Sequence, residues 1–271
     1  MGQRTIVAAI LTPLAVIAIY LGGIVYSIVI IMLLAAAAWE YSQLLKKVAL
    51  HPCIPLILGG VILLSVFRAL FDFDYLAATL TGMIFGGAIY HIYQFERGDT
   101  QPSADFGATL SALFYIGFLG SYLISLRGLA DGRWWTFLVL PTVWIADTGA
   151  YLVGSTIGKH KLAPKTSPNK TWEGYLAGVI TGVLGSLGLL ALYNQVFQAG
   201  LAISTLEAAL LGLAISAFIP LGDLTESFIK RQAGEKDSGS IFPGHGGVFD
   251  RLDSLFWAAP IGYYLILHLF Q

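Results

Sequence analysis

Apolar residues run continuously along this chain in long stretches, broken by short polar or glycine-rich intervals. Nine stretches stand out, at approximately 5–21, 24–39, 54–71, 74–94, 105–126, 134–156, 172–198, 201–229 and 253–270. A helix needs about 20 mostly apolar residues to cross a bilayer, where lipid offers the backbone no hydrogen bonds. The runs do not alternate apolar with polar, which argues against an outer-membrane barrel. The pattern predicts an all-α, polytopic membrane bundle of about nine transmembrane helices. The first two are short and separated only by Gly22-Gly23, and the eighth turns polar at its end. Arg4 gives the chain the basic start of a signal peptide, but no small-x-small cleavage site precedes the next apolar run, so the first stretch is read as an uncleaved span.

Composition sharpens this picture. Hydrophobic residues make up 56% of the 271 residues and charged ones only 11%, against a soluble norm of about 25% charged. The mean hydropathy is +0.75. So few charges cannot coat a globule of this size, and the surplus apolar surface must face lipid. The lone cysteine, Cys53, excludes an intramolecular disulfide and Cys-based zinc sites. Three groupings follow along the chain: N-terminal membrane helices (1–104), middle helices with a basic loop (105–171), and C-terminal helices (172–271). Together they are expected to form one membrane-embedded unit.

The net charge of −1 is uninformative, but its distribution is not. With the N-terminus in the cytoplasm, Arg4, Lys46, Lys47, Arg97, Lys159, Lys161, Lys165, Lys170, Lys230, Arg231, Lys236 and Arg251 all lie inside. Those are 12 of the 15 Lys and Arg; only Arg68, Arg127 and Arg133 fall outside. The positive-inside rule therefore favours this orientation. Glu40, after Trp39 at a span end, and Lys46-Lys47 read as ordinary structural residues of an interface. Gly82, Gly86, Gly87, Gly178, Gly182 and Gly185 read as close helix packing.

Polar chemistry gathers in the C-terminal half. Asp147 lies inside the sixth span, where a carboxylate must be paired, metal-bound, facing water or bonded to a neighbouring helix. Between 159 and 170 come four lysines with Thr166, Ser167 and Asn169, and Pro164 and Pro168 keep the segment out of a helix. Thr171 is placed to cap the next helix, with Glu173 in its first turn. Lysines and hydroxyls beside a helix N-terminus suit phosphate, which makes Lys165, Ser167, Asn169 and Lys170 candidate substrate contacts; for the lysines alone, a plain positive-inside loop explains as much. The densest patch runs from Gly222 to Ser254. Asp223, Glu226, Ser227 and Lys230 share a helix face by spacing, and Asp250, Asp253 and Ser254 repeat its start. Two such carboxylate clusters would suit one hard divalent cation such as Mg²⁺. The bases between them would hold phosphate, and Gly244, Gly246 and Gly247 permit close backbone approach. His245 is open to reading as an acid/base group, a phosphate donor or a packing residue. His51, His91, His160 and His268 read as structural.

The order of residues in this patch resembles a known family. Ser227-Phe228-Ile229-Lys230-Arg231, then Lys236-Asp237, then Phe242-Pro243-Gly244-His245-Gly246-Gly247-Val248-Phe249-Asp250-Arg251-Leu252-Asp253 is similar to the signature of the phosphatidate cytidylyltransferases, or CDP-diacylglycerol synthases. Asp147-x-x-Ala150-Tyr151 and Ser167 to Gly174 resemble the family too, so the likeness is strong over 144–254. It implies transfer of the cytidylyl group of CTP to phosphatidic acid, giving CDP-diacylglycerol and pyrophosphate. It also implies Mg²⁺, potassium at the metal centre, and a bacterial inner-membrane location, with the charge count turning the site to the cytoplasm. Asp223 and Asp250 carry over as metal ligands, with Asp147 and Asp253 as further candidates. Lys170, Lys230, Arg231, Lys236 and Arg251 carry over to the nucleotide and lipid phosphates, with Asp237 and His245 beside them. Asp223, Asp250, Lys230 and Arg231 are the expected catalytic set. No nucleic-acid partner is expected, and a homodimer is left open. A CTP-dependent lipid kinase or an anionic-solute transporter would use similar groups. The transporter should show a polar path to the outer face, where the loops carry few such residues.

Overall fold

The computed structural model describes residues 2–242 and 246–270. Helices make up most of it: α1 (Gly2–Leu21), α2 (Gly23–Lys47), α3 (Ile54–Phe71), α4 (Leu76–Glu96), α5 (Pro102–Ala112), a π-helical stretch (Leu113–Phe118), α6 (Leu119–Gly128), α7 (Gly132–Ile157), α8 (Trp172–Gln195), α9 (Thr205–Gln232), the single turn α10 (Phe249–Leu252) and α11 (Leu255–Leu265). A second π-helical stretch, Ile266–Phe270, extends α11. Among the described residues, seven helices are long and apolar enough to cross a membrane, with Pro102–Gly128 acting as one. The expected first and last spans are helical too: α1 has 20 residues, and α11 has 11 and runs on into the second π-helical stretch. The chain is an all-α, multi-pass membrane protein.

Helix α2 runs eight residues beyond the hydropathy boundary at 39, to Lys47. Past Trp39 the sequence turns polar, yet Glu40, Tyr41, Ser42, Leu44 and Leu45 are buried against protein. Hydropathy measures the length that faces lipid, and here the helix outlasts it. The basic segment after α7 differs more. The sequence implied irregular loop, but Lys161–Ala163 (β1) and Ser167–Thr171 (β2) pair antiparallel, with Lys161 opposite Thr171 and Ala163 opposite Ser167. Pro164 opens the three-residue turn between them, where its fixed φ suits a turn position.

Two compact units emerge. One holds the chain up to Ser125 together with Ile229–Leu252. Leu34, Ala37 and Leu44 of α2, Ile57, Val61 and Leu64 of α3, and Leu113 and Ile116 of the π-helical stretch are buried in it, as is Phe249. The other holds Leu126–Phe228 and the chain from Asp253 onward.

The second unit is built around the glycine face of α8. Gly174, Gly178 and Gly182 recur every fourth residue, so they stack on one side of the helix. A Cβ on Gly174 would lie 2.7 Å from the Ala150 carbonyl oxygen of α7, and one on Gly178 would lie 3.1 Å from that of Ala146. A Cβ on Gly182 would meet Ser216 of α9 at 2.5 Å. Leu176, Ile180 and Leu184, on other faces, are 58%, 59% and 61% exposed. In lipid, where burying leucine gains little, close backbone approach through small residues drives helix association. The helix turns its large residues to lipid and its bare backbone to α7 and α9. Hydroxyls add to the seam: Ser186 Oγ donates to Ala208 O at 2.7 Å and Tyr175 Oη to Ala217 O at 3.3 Å.

Candidate active site

With no side chains on the glycine face of α8 to hold its neighbours apart, short acidic residues of the second unit can converge. Asp223 and Glu226, one turn apart on α9, and Asp253, just before α11, place carboxylate oxygens within 4.8 Å of one another. Gly222 permits this approach, since a Cβ there would lie 2.5 Å from the Asp253 carbonyl oxygen and 2.8 Å from the Trp257 ring. Glu226 is buried, while Asp223 and Asp253 are partly exposed. Asp147 of α7 is near enough to act electrostatically on Asp253, as do Asp223 and Lys170. Ionised carboxylates 4.8 Å apart repel by about 3.5 kcal/mol per pair at an effective dielectric of 20, and closer ones by more. Such a group of hard oxygens suits a divalent cation of the Mg²⁺ type. Glu226 was legible through its i+3 spacing from Asp223, but it was not among the expected metal ligands.

The hairpin supplies the counter-charge. Lys170, at the end of β2, reaches Asp223, with Nζ 2.5 Å from Oδ2. Ser227 Oγ donates to the other oxygen at 3.2 Å. Thr171 caps α8 as expected, its hydroxyl accepting from Gly174 N at 3.2 Å. Glu173 in the first turn holds the hairpin's entry, accepting from the backbone N–H groups of Lys159 and His160 and meeting His160 Nδ1 at 2.6 Å. Lys170 is thus turned into the unit, whereas the side chains of Lys159, Lys161 and Lys165 are exposed. Asn169 is exposed and Ser167 half-buried.

The first unit carries the other half of the signature. Helix α9 ends at Gln232, and just beyond it Gly234, with a φ of +72°, lets Glu235 N donate back to Lys230 O at 2.8 Å. The chain then wraps Asp250. Lys230 Nζ donates to Oδ1 at 2.6 Å. Ser238 N, Gly247 N and Ser238 Oγ donate to Oδ2 at 2.8, 2.8 and 2.9 Å. Gly246 has a φ of +81°, and a Cβ there would lie 2.5 Å from Oδ2. Asp250, an expected metal ligand, anchors this loop. Arg231, Lys236, Asp237 and Arg251 are exposed, and Arg231 donates to Glu235 O at 3.2 Å. His245 lies outside the described residues.

A residue that the sequence reading treated as an ordinary interface position joins this loop. Glu40 of α2 is buried, and its Oε2 accepts from Phe249 N at 2.9 Å and from Ser238 Oγ at 3.1 Å. No local spacing links position 40 to position 238, so its place was invisible in the sequence.

Comparison with known proteins identifies the relatives of this chain. Residues 2–269 match the cytidylyltransferase family. The phosphatidate cytidylyltransferase of Synechocystis sp. is 34% identical over 98% of this chain and 96% of its own length. That of Bacillus subtilis is 32% identical over 98% and 97%. That of Brucella suis is 34% identical over 96% and 91%.

Proposed function

The chain belongs to the cytidylyltransferase family, and from that premise we propose that it transfers the cytidylyl group of CTP to phosphatidate. The products are CDP-diacylglycerol, a precursor for phospholipid synthesis, and pyrophosphate. The observation that carries this at residue level is the meeting of Asp223, Glu226 and Asp253, with Lys170 paired to Asp223.

Phosphatidate already carries an anionic phosphate oxygen, so the attack on the α-phosphorus of CTP needs little general base. The bond formed joins that oxygen to phosphorus, and the bond broken releases pyrophosphate. The barrier lies in bringing two anions together and in the charge left on the leaving group. Asp223, Glu226 and Asp253 would hold Mg²⁺, with Asp147 near them. When bound, the ion neutralises phosphate charge and draws electron density from the leaving group. Lys170 holds the Asp223 carboxylate in place and offers its remaining donors to a phosphate. Lys165, Ser167, Asn169, Arg231, Lys236 and Arg251 supply donors for the two substrates' phosphates. Asp250 and Lys230 are already matched to each other. Asp250 would serve as a further metal ligand by the family resemblance, and Lys230 would then be available to a phosphate. Potassium and a contribution from His245 rest on the family resemblance alone.

This reading places the reacting groups at the cytoplasmic face of a bacterial inner membrane. The lipid reaches that face within the bilayer and CTP reaches it from the cytosol. A homodimer is the assembly to test by cross-linking in native membranes. The deciding experiment incubates purified protein with CTP and phosphatidate, with and without Mg²⁺, and follows lipid and nucleotide products. CDP-lipid and pyrophosphate, formed only with the metal, are expected. Release of CDP with a newly phosphorylated lipid would make the protein a kinase, and absence of turnover with uptake of an anionic solute would make it a transporter.

A further inference from the structure

Glu40 sits at a junction the transfer chemistry does not explain. Its Oε2 accepts from Phe249 N at 2.9 Å, one residue before Asp250, and from Ser238 Oγ at 3.1 Å. The same Ser238 hydroxyl lies 2.9 Å from Asp250 Oδ2. Its single proton can serve only one carboxylate at a time, so the hydroxyl couples the two. The loop backbone is shaped to the Glu40 carboxylate. A Cβ added at Gly239 or at Gly247 would overlap it, and at Gly247 would overlap the Ser238 hydroxyl as well. Glu40 Oε1 is buried with no hydrogen-bond partner among the described residues. A buried carboxylate is costly to place among apolar helices unless its bonds hold something in return.

We infer that Glu40 is a positioning residue: from α2 it clamps Ser238 and Phe249, and so fixes the Asp250 carboxylate and its Lys230 partner. The clamp acts through Ser238, which touches both carboxylates, and through Phe249 N, the amide next to Asp250 in the chain. It touches no phosphate itself. The glycines at 239 and 247 are part of the device, because a side chain at either would displace the carboxylate. This inference rests on the transferase reading for its kinetic consequence, but the hold on the loop stands apart from it.

The test compares wild type with Glu40→Ala, Glu40→Gln and Glu40→Asp, purified in the same detergent. Turnover of CTP with phosphatidate is resolved into kcat and KM, and hydrogen exchange is followed at the amides of Ser238, Gly247 and Phe249. Glu40→Ala should lower kcat about ten- to a hundredfold, the loss expected when buried donors are left without their acceptor. It should leave the KM for CTP within about threefold and accelerate exchange at all three amides, for the clamp orients the reacting groups more than it binds nucleotide. Glu40→Gln keeps an oxygen for Phe249 N and puts its NH₂ where Oε1 has no donor to lose, so it should retain kcat within about threefold. Glu40→Ala with wild-type kcat and unchanged exchange would overturn the inference. So would equal losses in Glu40→Ala and Glu40→Gln, which would make charge rather than position the requirement. If Glu40→Ala does not fold, Glu40→Asp, one methylene short of the loop, decides on the same two readouts. Wild type that makes no CDP-lipid would sink the reaction assignment, and hydrogen exchange would still judge the clamp.

Discussion

Lys170 is turned into its unit while Lys159 and Lys161 are exposed, and the consequence of that difference can be measured. Lys170 Nζ lies 2.5 Å from Asp223 Oδ2, and the two side chains are 23% and 36% exposed. Lys170→Ala removes a charge-assisted contact worth about 1.5–3 kcal/mol when buried. Solvent at Asp223 screens the pair, so the lower half of that range applies. If the contact acts in the transition state, the rate falls by about ten- to thirtyfold. The change also leaves three mutually repelling carboxylates with one cation fewer, so Lys170→Ala should need less Mg²⁺ for half-maximal rate. Lys159 and Lys161 have exposed side chains, and the one bond that Lys159 makes to Glu173 comes from its backbone N–H. That bond survives alanine. The double change Lys159→Ala, Lys161→Ala should therefore stay within about twofold of wild type, the range of surface substitutions. Initial rates of CDP-lipid formation at varied Mg²⁺ and CTP decide the matter. A dead double mutant beside a near-normal Lys170→Ala would show that the phosphate pocket lies elsewhere on the hairpin.

Other expectations follow from the same geometry. Asp223→Asn and Asp253→Asn should each cost at least about a hundredfold in turnover while the protein still inserts, because each removes a hard anionic oxygen from the site of the divalent ion; near-normal rates at saturating Mg²⁺ in either would remove that residue from the metal set. Gly182→Val should destabilise the fold by about 1–3 kcal/mol through forced repacking against Ser216. Gly188→Ala, with nothing within 4 Å of the new Cβ, should be neutral or slightly stabilising, and melting in detergent distinguishes the two. In a Cys53→Ala background, Ser240→Cys should react with impermeant thiol reagents only from the cytoplasmic side and Gln198→Cys only from outside. Both positions are exposed, whereas the neighbouring Ser238 is buried. Labelling of both from one side would mean the number of crossings between them is even.

Much of this protein was readable because lipid imposes strict rules. An apolar run of sufficient length has few alternatives to a helix, so most expected spans lie within a few residues of observed ones. Where the reading fell short, the missing information was tertiary. The basic segment after α7 offers prolines and lysines, and nothing local says that Lys161 will pair with Thr171. Helix α2 outlasts its hydropathy because Tyr41 and Leu44 find protein instead of lipid. The acidic residues were all visible, but how they group was not. Spacing put Asp223, Glu226 and Lys230 on one face of α9, yet Asp223 pairs with Lys170 from the hairpin and Lys230 pairs with Asp250.

The glycines explain why the grouping was hidden. Gly174, Gly178 and Gly182 were legible as close packing, and their consequence for chemistry is indirect. A helix with leucines at those positions would stand further from α7 and α9, and aspartate is too short to bridge that gap. Gly222 does the same for Asp253, and Gly246 and Gly247 do it for Asp250 and Glu40. Side chains of one or two methylenes can meet only where backbones meet first. For Asp250 and Glu40, the reach of the carboxylate is set by the absence of a side chain at Gly239, Gly246 and Gly247. A substitution at a glycine that touches no substrate should therefore impair turnover as well as packing. That links the Gly182→Val prediction to the acidic cluster: loss of stability with unchanged Mg²⁺ dependence in the folded fraction would break the link.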